Sequence, residues 1–139
     1  IVSADQLAFA RYAHRTLAAP AEPHLVHLGD AWHSTSPQLG QGANMALLDA
    51  WALSRALDEC DAIPEALEQF VRLRRKHVRL YQALSYLLTP VYQSDGRLLP
   101  WLRDRIASQM QRLWPVAPIL AAMVSGTIGD PIHRLGLKP

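Results

Sequence analysis

The run from Gly29 to Asn44 holds the residues whose types and spacing could support chemistry. Asp30 follows the short apolar segment 24–28, which predicts a buried strand, and ligands bind at the C-terminal ends of strands in α/β sheets. The carboxylate of Asp30 could accept hydrogen bonds from sugar-like hydroxyls there. Gly40 and Gly42 lack side chains, so a flat ligand can approach the backbone closely.

A helix is predicted over residues 43–59, where Ala, Met and Leu dominate. Met45, Leu48, Ala52 and Ala56 share one face at 3.6 residues per turn, which predicts the core side of this helix. Its first N–H groups, from about Gly42 onward, have no intrahelical partners. Together with the helix dipole, equivalent to roughly half a positive charge, they favour an anionic group.

The order Gly-Asp, His, Pro and Gly-Gln-Gly-x-Asn, followed by Asp-Ala in the helix, resembles the second flavin motif of class A (aromatic-hydroxylase type) FAD-dependent monooxygenases. The resemblance and the glycine argument together predict six cofactor-binding residues, which are Asp30, Pro37, Gly40, Gly42, Ala43 and Asn44. In this family the acid holds the ribityl chain of FAD, the proline lies near flavin and substrate, and the helix start lies against the pyrimidine edge of the isoalloxazine. Asn44 could also be the helix N-cap. Asp49 matches the motif and is assigned a structural role alone.

The resemblance implies the C-terminal portion of a flavoprotein that hydroxylates an aromatic or lipophilic unsaturated substrate with FAD, NAD(P)H and O2. On this interpretation the N–H groups that open the helix favour reduced flavin, which is anionic at its pyrimidine edge. No side chain is assigned as a catalytic residue. Three alternatives stay open: a related flavin halogenase, an isoprenoid-chain reductase, and a helical interaction module without chemistry.

The expected fold is mostly α with one or two strands: the C-terminal fragment of an α/β FAD-binding fold, Rossmann-like and of glutathione-reductase type, plus a helical tail. Residues 1–22 are expected to end a substrate domain, residues 23–60 to form the FAD-binding strand, loop and helix, and residues 61–139 to form a C-terminal helical region. No Gly-x-Gly-x-x-Gly fingerprint occurs in the chain. Because that fingerprint binds the ADP half of FAD, the fragment alone is expected to hold FAD poorly and to be inactive.

Three further helices are predicted in that C-terminal region. The first spans about residues 64–88 and is expected to stop at Pro90, which lacks an N–H group. The second spans about residues 100–114 and the third about residues 118–125. Trp32 departs from the family pattern, in which a small residue stands at this place, and is expected to crowd the flavin or to shape a pocket.

Charge and composition argue against several other functions. The 139 residues carry fourteen Lys and Arg against twelve Asp and Glu, a formal charge of +2 that is too small to predict a nucleic-acid partner. The basic run from Arg72 to Arg79 is expected to form a solvated helix face or to contact the missing domains. His24 and His27 would point to opposite faces of a strand, so no metal site is predicted. Ser34 and Ser36 lack the elbow of a hydrolase nucleophile.

The partners expected are a small-molecule substrate and the missing N-terminal part of the same protein, with a homodimer left open. No apolar run is long enough to span a membrane, and the single cysteine, Cys60, excludes an internal disulfide and fits a reducing compartment. A cytoplasmic location is therefore expected.

Overall fold

A computed structural model of the chain describes residues 3, 6, 13–93, 96, 101, 104–105 and 115–137. These residues are mostly helical, which confirms the coarse fold class predicted from the sequence. The strands are β1 (Arg15–Thr16), β2 (Ala21–Glu22) and β3 (Leu25–Val26). The helices are α1 (Asp30–His33), a 3-10 helix (Pro37–Leu39), α2 (Gly42–Glu59), α3 (Ile63–Gln93), α4 (Val116–Val124) and α5 (Pro131–Arg134).

The strand predicted over residues 24–28 is shorter and more exposed than expected. β3 pairs antiparallel with β2, with Ala21 opposite Val26 and Glu22 opposite Leu25. His24 lies in the turn of this hairpin, and Leu25 is 51% exposed. Within the described residues β3 has a strand neighbour on one side alone, so the prediction of a buried strand is wrong for this segment. A parallel Rossmann-like sheet remains a prediction.

The core lies between α2 and α3. The predicted start of α2 is confirmed to within one residue, and its predicted core face is buried, with Ala52 and Ala56 wholly inaccessible to solvent. These small residues allow close approach of α3, which contributes Phe70, Val71 and Val78 to the same cluster. Each large apolar side chain buried in this way stabilises the fold by roughly 1.5–3 kcal/mol.

Helix α3 does not stop at Pro90 but continues to Gln93, so the predicted end was wrong. Proline removes the N–H that would bond to the carbonyl four residues earlier. The carbonyl that loses its donor belongs to Tyr86, which is 73% exposed, so water can reach this part of the helix. The Thr89 hydroxyl donates to the Ser85 carbonyl at 2.7 Å in the same turn, which adds a bond where proline removes one.

The C-terminal region folds back onto the helical pair. The helix predicted over residues 100–114 lies outside the described residues except for Trp101, Asp104 and Arg105, which are helical. Helix α4 begins two residues before its predicted start, and α5 was not predicted. The Trp51 indole donates to the Leu135 carbonyl at 3.2 Å, which joins the chain after α5 to α2. None of the described helices is both long and apolar enough for a membrane span.

Candidate functional site

Asp30 and Gly42 are neighbours in the folded chain. Asp30 opens α1 soon after the hairpin, so it begins a turn of helix where the sequence predicted the end of a strand. A Cβ atom placed on Gly42 would lie 4.0 Å from Asp30 Oδ1. Both residues are exposed, so the carboxylate and the first turn of α2 face the same open space.

The loop between α1 and α2 packs against the core on one side and is exposed to solvent on the other. Leu39 is 7% exposed and anchors the 3-10 helix in the core. Gly40 then adopts φ 62°, a left-handed conformation that favours glycine, and donates to the Pro37 carbonyl at 2.9 Å. A Cβ atom placed on Gly40 would meet nothing within 4 Å, and Pro37 is exposed. This face of the loop is therefore accessible to a ligand.

The first turn of α2 carries no side-chain cap. Gln41 is the N-cap residue, and its side chain makes no capping hydrogen bond to the first amides of the helix. Gly42 and Ala43 are exposed, so their N–H groups can donate to a ligand. Asn44 lies inside the helix, and its side chain donates to Gln41 Oε1 at 2.8 Å. The interpretation of Asn44 as the N-cap is wrong, because the helix begins two residues before it.

A buried carboxylate, Asp49, joins the elements that surround this opening. Its Oδ2 accepts from the Gly29 amide at 2.8 Å and from His33 Nε2 at 2.6 Å, and its Oδ1 accepts from Arg74 Nε at 2.7 Å. Burial alone would raise the pKa of Asp49, but the hydrogen bond from His33 and the charge of Arg74 outweigh burial and hold this pKa below its usual value. The carboxylate thus ties the chain before Asp30 to α1, α2 and α3.

The basic run that includes Arg74 was predicted to form a solvated face or to contact the missing domains, and for Arg74 both expectations are wrong, because its side chain is buried within this chain. The side chain is 1% exposed, whereas its neighbours Arg72 and Arg75 are exposed. Position 74 falls four residues after Phe70 and four before Val78, on the buried stripe of α3. Only a buried partner could stabilise a cation there, and Asp49 supplies it.

The hydroxyls near His33 do not form a nucleophile–base pair with it. His33 is 3% exposed, and its Nε2 is committed to Asp49. Ser34 donates instead to the Ala13 carbonyl at 2.8 Å. Trp32 is 2% exposed and packs against Phe70 with ring centroids 5.4 Å apart, so most of its side chain belongs to the core. Its remaining edge borders a small pocket beside Ala18 and Val78.

His77 extends this network and makes it sensitive to acid. Arg74 Nη1 lies 2.9 Å from His77 Nδ1, and since arginine can only donate, that nitrogen is the acceptor. Burial and then the charge of Arg74 lower the pKa of His77 to about 4. The described residues contain no group of three or more His, Cys, Asp or Glu that could hold a metal ion.

We predict that acid weakens the fold through His77. In the unfolded chain this residue takes up a proton near pH 6.5, whereas in the folded chain it stays neutral until about pH 4. Stability should therefore be complete above pH 6.5 and fall by about 3 kcal/mol as the pH drops toward 4. Urea unfolding at several pH values would measure this slope. His77→Gln should remove it, the exposed His24→Gln should keep it, and an unchanged slope in His77→Gln would contradict the assignment.

Comparison with known protein families gives a match over the part of the chain that contains the candidate site. Residues 2–83 match the family model described as FAD binding domain, and this span includes all six predicted cofactor-binding residues. No solved structure matches the chain.

Several curated relatives carry monooxygenase names. The aurachin C monooxygenase/isomerase of Stigmatella aurantiaca is 32% identical over 61% of this chain and 22% of its own length. The FAD-dependent monooxygenase janM of Penicillium janthinellum is 36% identical over 83% of this chain and 25% of its own. The kynurenine 3-monooxygenase of Stenotrophomonas maltophilia (strain K279a) is 34% identical over 65% of this chain and 20% of its own. The chain thus spans between a fifth and a quarter of the length of these relatives.

Proposed function

This chain belongs to the FAD binding domain family, and from that premise we propose that it is the flavin-contacting C-terminal portion of an FAD-dependent monooxygenase. The observation that carries the proposal is the exposed, uncapped start of α2 beside the carboxylate of Asp30. When bound, FAD supplies the redox chemistry that couples NAD(P)H and O2 to hydroxylation of a substrate.

The residues at this opening suit a flavin. The open surface at Gly40 and the lack of a side chain at Gly42 allow a flat ring to approach the backbone. The N–H groups of Gly42 and Ala43 can donate to the pyrimidine edge, and the helix dipole favours negative charge at that edge. The Asp30 carboxylate can accept hydrogen bonds from the hydroxyls of the ribityl chain.

The task of these residues is to bind and orient the cofactor rather than to transfer protons. His33 is the histidine closest in sequence to Asp30 and Pro37. Its side chain is buried and bonded to Asp49, so it is not free to exchange protons with a ligand. Pro37 is exposed at the rim of the same loop, where it would border both flavin and substrate. Asn44 is half-buried at the edge of the helix opening and would contact the ring from the side of α2.

The substrate proposed is an aromatic or lipophilic unsaturated molecule. The names of the relatives support this class. One relative is a probable 2-heptyl-3-hydroxy-4(1H)-quinolone synthase from Rhodococcus erythropolis, which is 32% identical over 70% of this chain. The compound in its name has an aromatic ring system that carries an alkyl chain. Kynurenine, which another relative's name contains, is also aromatic.

Replacement of Asp30 tests the assignment of the cofactor. We expect the protein that contains this chain to purify with bound flavin, and Asp30→Ala to raise the dissociation constant for FAD about 10- to 100-fold, since a charge-assisted hydrogen bond contributes about 1.5–3 kcal/mol. Titration of the apoprotein, followed by flavin fluorescence, gives this constant. Asp58→Ala is the control, because Asp58 is an exposed carboxylate near the other end of α2.

The outcomes separate the proposed function from its alternatives. A wild-type protein that neither carries nor takes up FAD would contradict the proposal and favour an interaction module. NAD(P)H consumption without oxygen uptake would indicate a reductase instead. Oxygen uptake that yields a halogenated product in the presence of halide would indicate a halogenase.

A further inference from the structure

The segment that follows α4 packs directly against the opening of α2. Gln41 Nε2 donates to the Val124 carbonyl, and Gln41 Oε1 in turn accepts from Asn44 Nδ2 at 2.8 Å. Gly126 is buried against the same two side chains. A Cβ atom on Gly126 would overlap the amide of Asn44 and would lie 2.5 Å from Gln41 Oε1.

The position of this segment is set by the core and not by Gln41 alone. Met123 is 8% exposed and belongs to the core cluster. The buried hydroxyl of Tyr81, on α3, donates to the Met123 carbonyl at 3.1 Å. Gly126 follows with φ +77°, a conformation that few residues other than glycine adopt. The tail therefore presents a preformed surface to Gln41 and Asn44.

These contacts decide what the side chains at the helix start can do. A polar side chain at the third helical position can fold back toward the N-cap amide, as it does in a capping box. Here the Asn44 amide is held by Gln41, and Gln41 is held by the tail. Neither side chain caps the helix, so the amides of Gly42 and Ala43 stay available.

We infer that Gly126 and the Val124 carbonyl form one wall of the flavin site and are positioning elements, because they hold the Gln41–Asn44 pair off the first amides of α2. This inference rests on the proposed function, since those amides are the ones assigned to the pyrimidine edge of FAD. Displacement of the tail releases the pair. The Gln41 side chain, at the N-cap position, can then accept from the Ala43 amide in competition with the flavin, and Asn44 can bond to the Gln41 amide beside it.

Gly126→Ala, compared with Gly136→Ala, tests the inference. Both glycines lie in the tail at positive φ, 77° and 68°, so both variants incur comparable backbone strain. A Cβ atom on Gly136 would press on Arg55, in the second half of α2, and not on the helix start. In the flavoprotein that contains this chain, we expect Gly126→Ala to raise the dissociation constant for FAD about tenfold, or 1.4 kcal/mol. The midpoint potential of bound flavin should also become more negative, and Gly136→Ala should change neither quantity.

A second variant gives an answer even if Gly126→Ala does not fold. Gln41→Ala removes the link to the Val124 carbonyl without backbone strain and frees Asn44 to accept from the amide of residue 41. The partial negative charge of the Asn44 amide oxygen beside the helix start should then shift the flavin potential in the same direction. Gln69→Ala is its control, because Gln69 bonds to Glu59 at the far end of α2.

The possible results separate this inference from the proposed function. Wild-type affinity and potential in both Gly126→Ala and Gln41→Ala would overturn the inference and leave the proposed function standing. Absence of FAD binding in the wild-type protein would overturn the proposed function itself.

Discussion

Replacement of Arg74 by methionine will lower the free energy of unfolding by about 3–5 kcal/mol, because it leaves a buried carboxylate without its cation. Asp49 is wholly inaccessible to solvent and lies 2.7 Å from Arg74 Nε. Gly29 and His33 would remain as its hydrogen-bond donors, but no guanidinium would balance the charge. Methionine retains the apolar stem of arginine, so the loss reports mainly on the charge.

Urea unfolding measures this effect, and the neighbouring position provides a matched control. Arg75→Met makes the same substitution one residue later on an exposed face of α3, where a change of at most about 0.5 kcal/mol is expected. The double variant Asp49→Leu with Arg74→Met should be less unstable than the sum of the two single variants, since it removes both charges. Equal losses in Arg74→Met and Arg75→Met would show that the buried pair contributes nothing.

The second large effect concerns ligand binding rather than stability. Gly42→Val will raise the dissociation constant for FAD about 100-fold, or close to 2.7 kcal/mol. A Cβ atom at this position already lies 4.0 Å from the Asp30 carboxylate, and the two methyl groups of valine would occupy the space in which the ring approaches. Gly42 does not have positive φ, so the backbone accepts valine without strain.

The apoprotein should tolerate this change. We expect the free energy of unfolding to shift by less than about 1 kcal/mol, because valine at an exposed first helical position loses side-chain freedom but meets no packed atoms. Ala50→Val, at an exposed site two turns further along α2, is the control for β-branching in this helix. Flavin binding by Gly42→Val as tight as that by Ala50→Val would remove Gly42 from the site.

The sequence determined the local chemistry of this protein. Glycine spacing and the apolar period of a helix depend on neighbours within a few residues, so α2 and the open loop at Gly40 could be predicted directly. The proximity of Asp30 to Gly42 is also local, because only eleven residues, which include most of α1 and the 3-10 helix, separate them in the chain. Assignment of these residues to FAD remains a prediction that the proposed binding experiments test.

The tertiary structure alone decided the buried partners. Asp49 interrupts the apolar face of α2, and Arg74 interrupts that of α3, so each position by itself signals a charge that needs a counterion. To predict that Asp49 pairs with Arg74, one must know how α2 and α3 are aligned against each other. This alignment depends on packing between residues that are 25 positions apart in the chain. The contact between Gln41 and the tail joins residues 83 apart, and no local pattern encodes it. Short-range spacing thus specifies which groups are available, whereas long-range packing decides which of them meet.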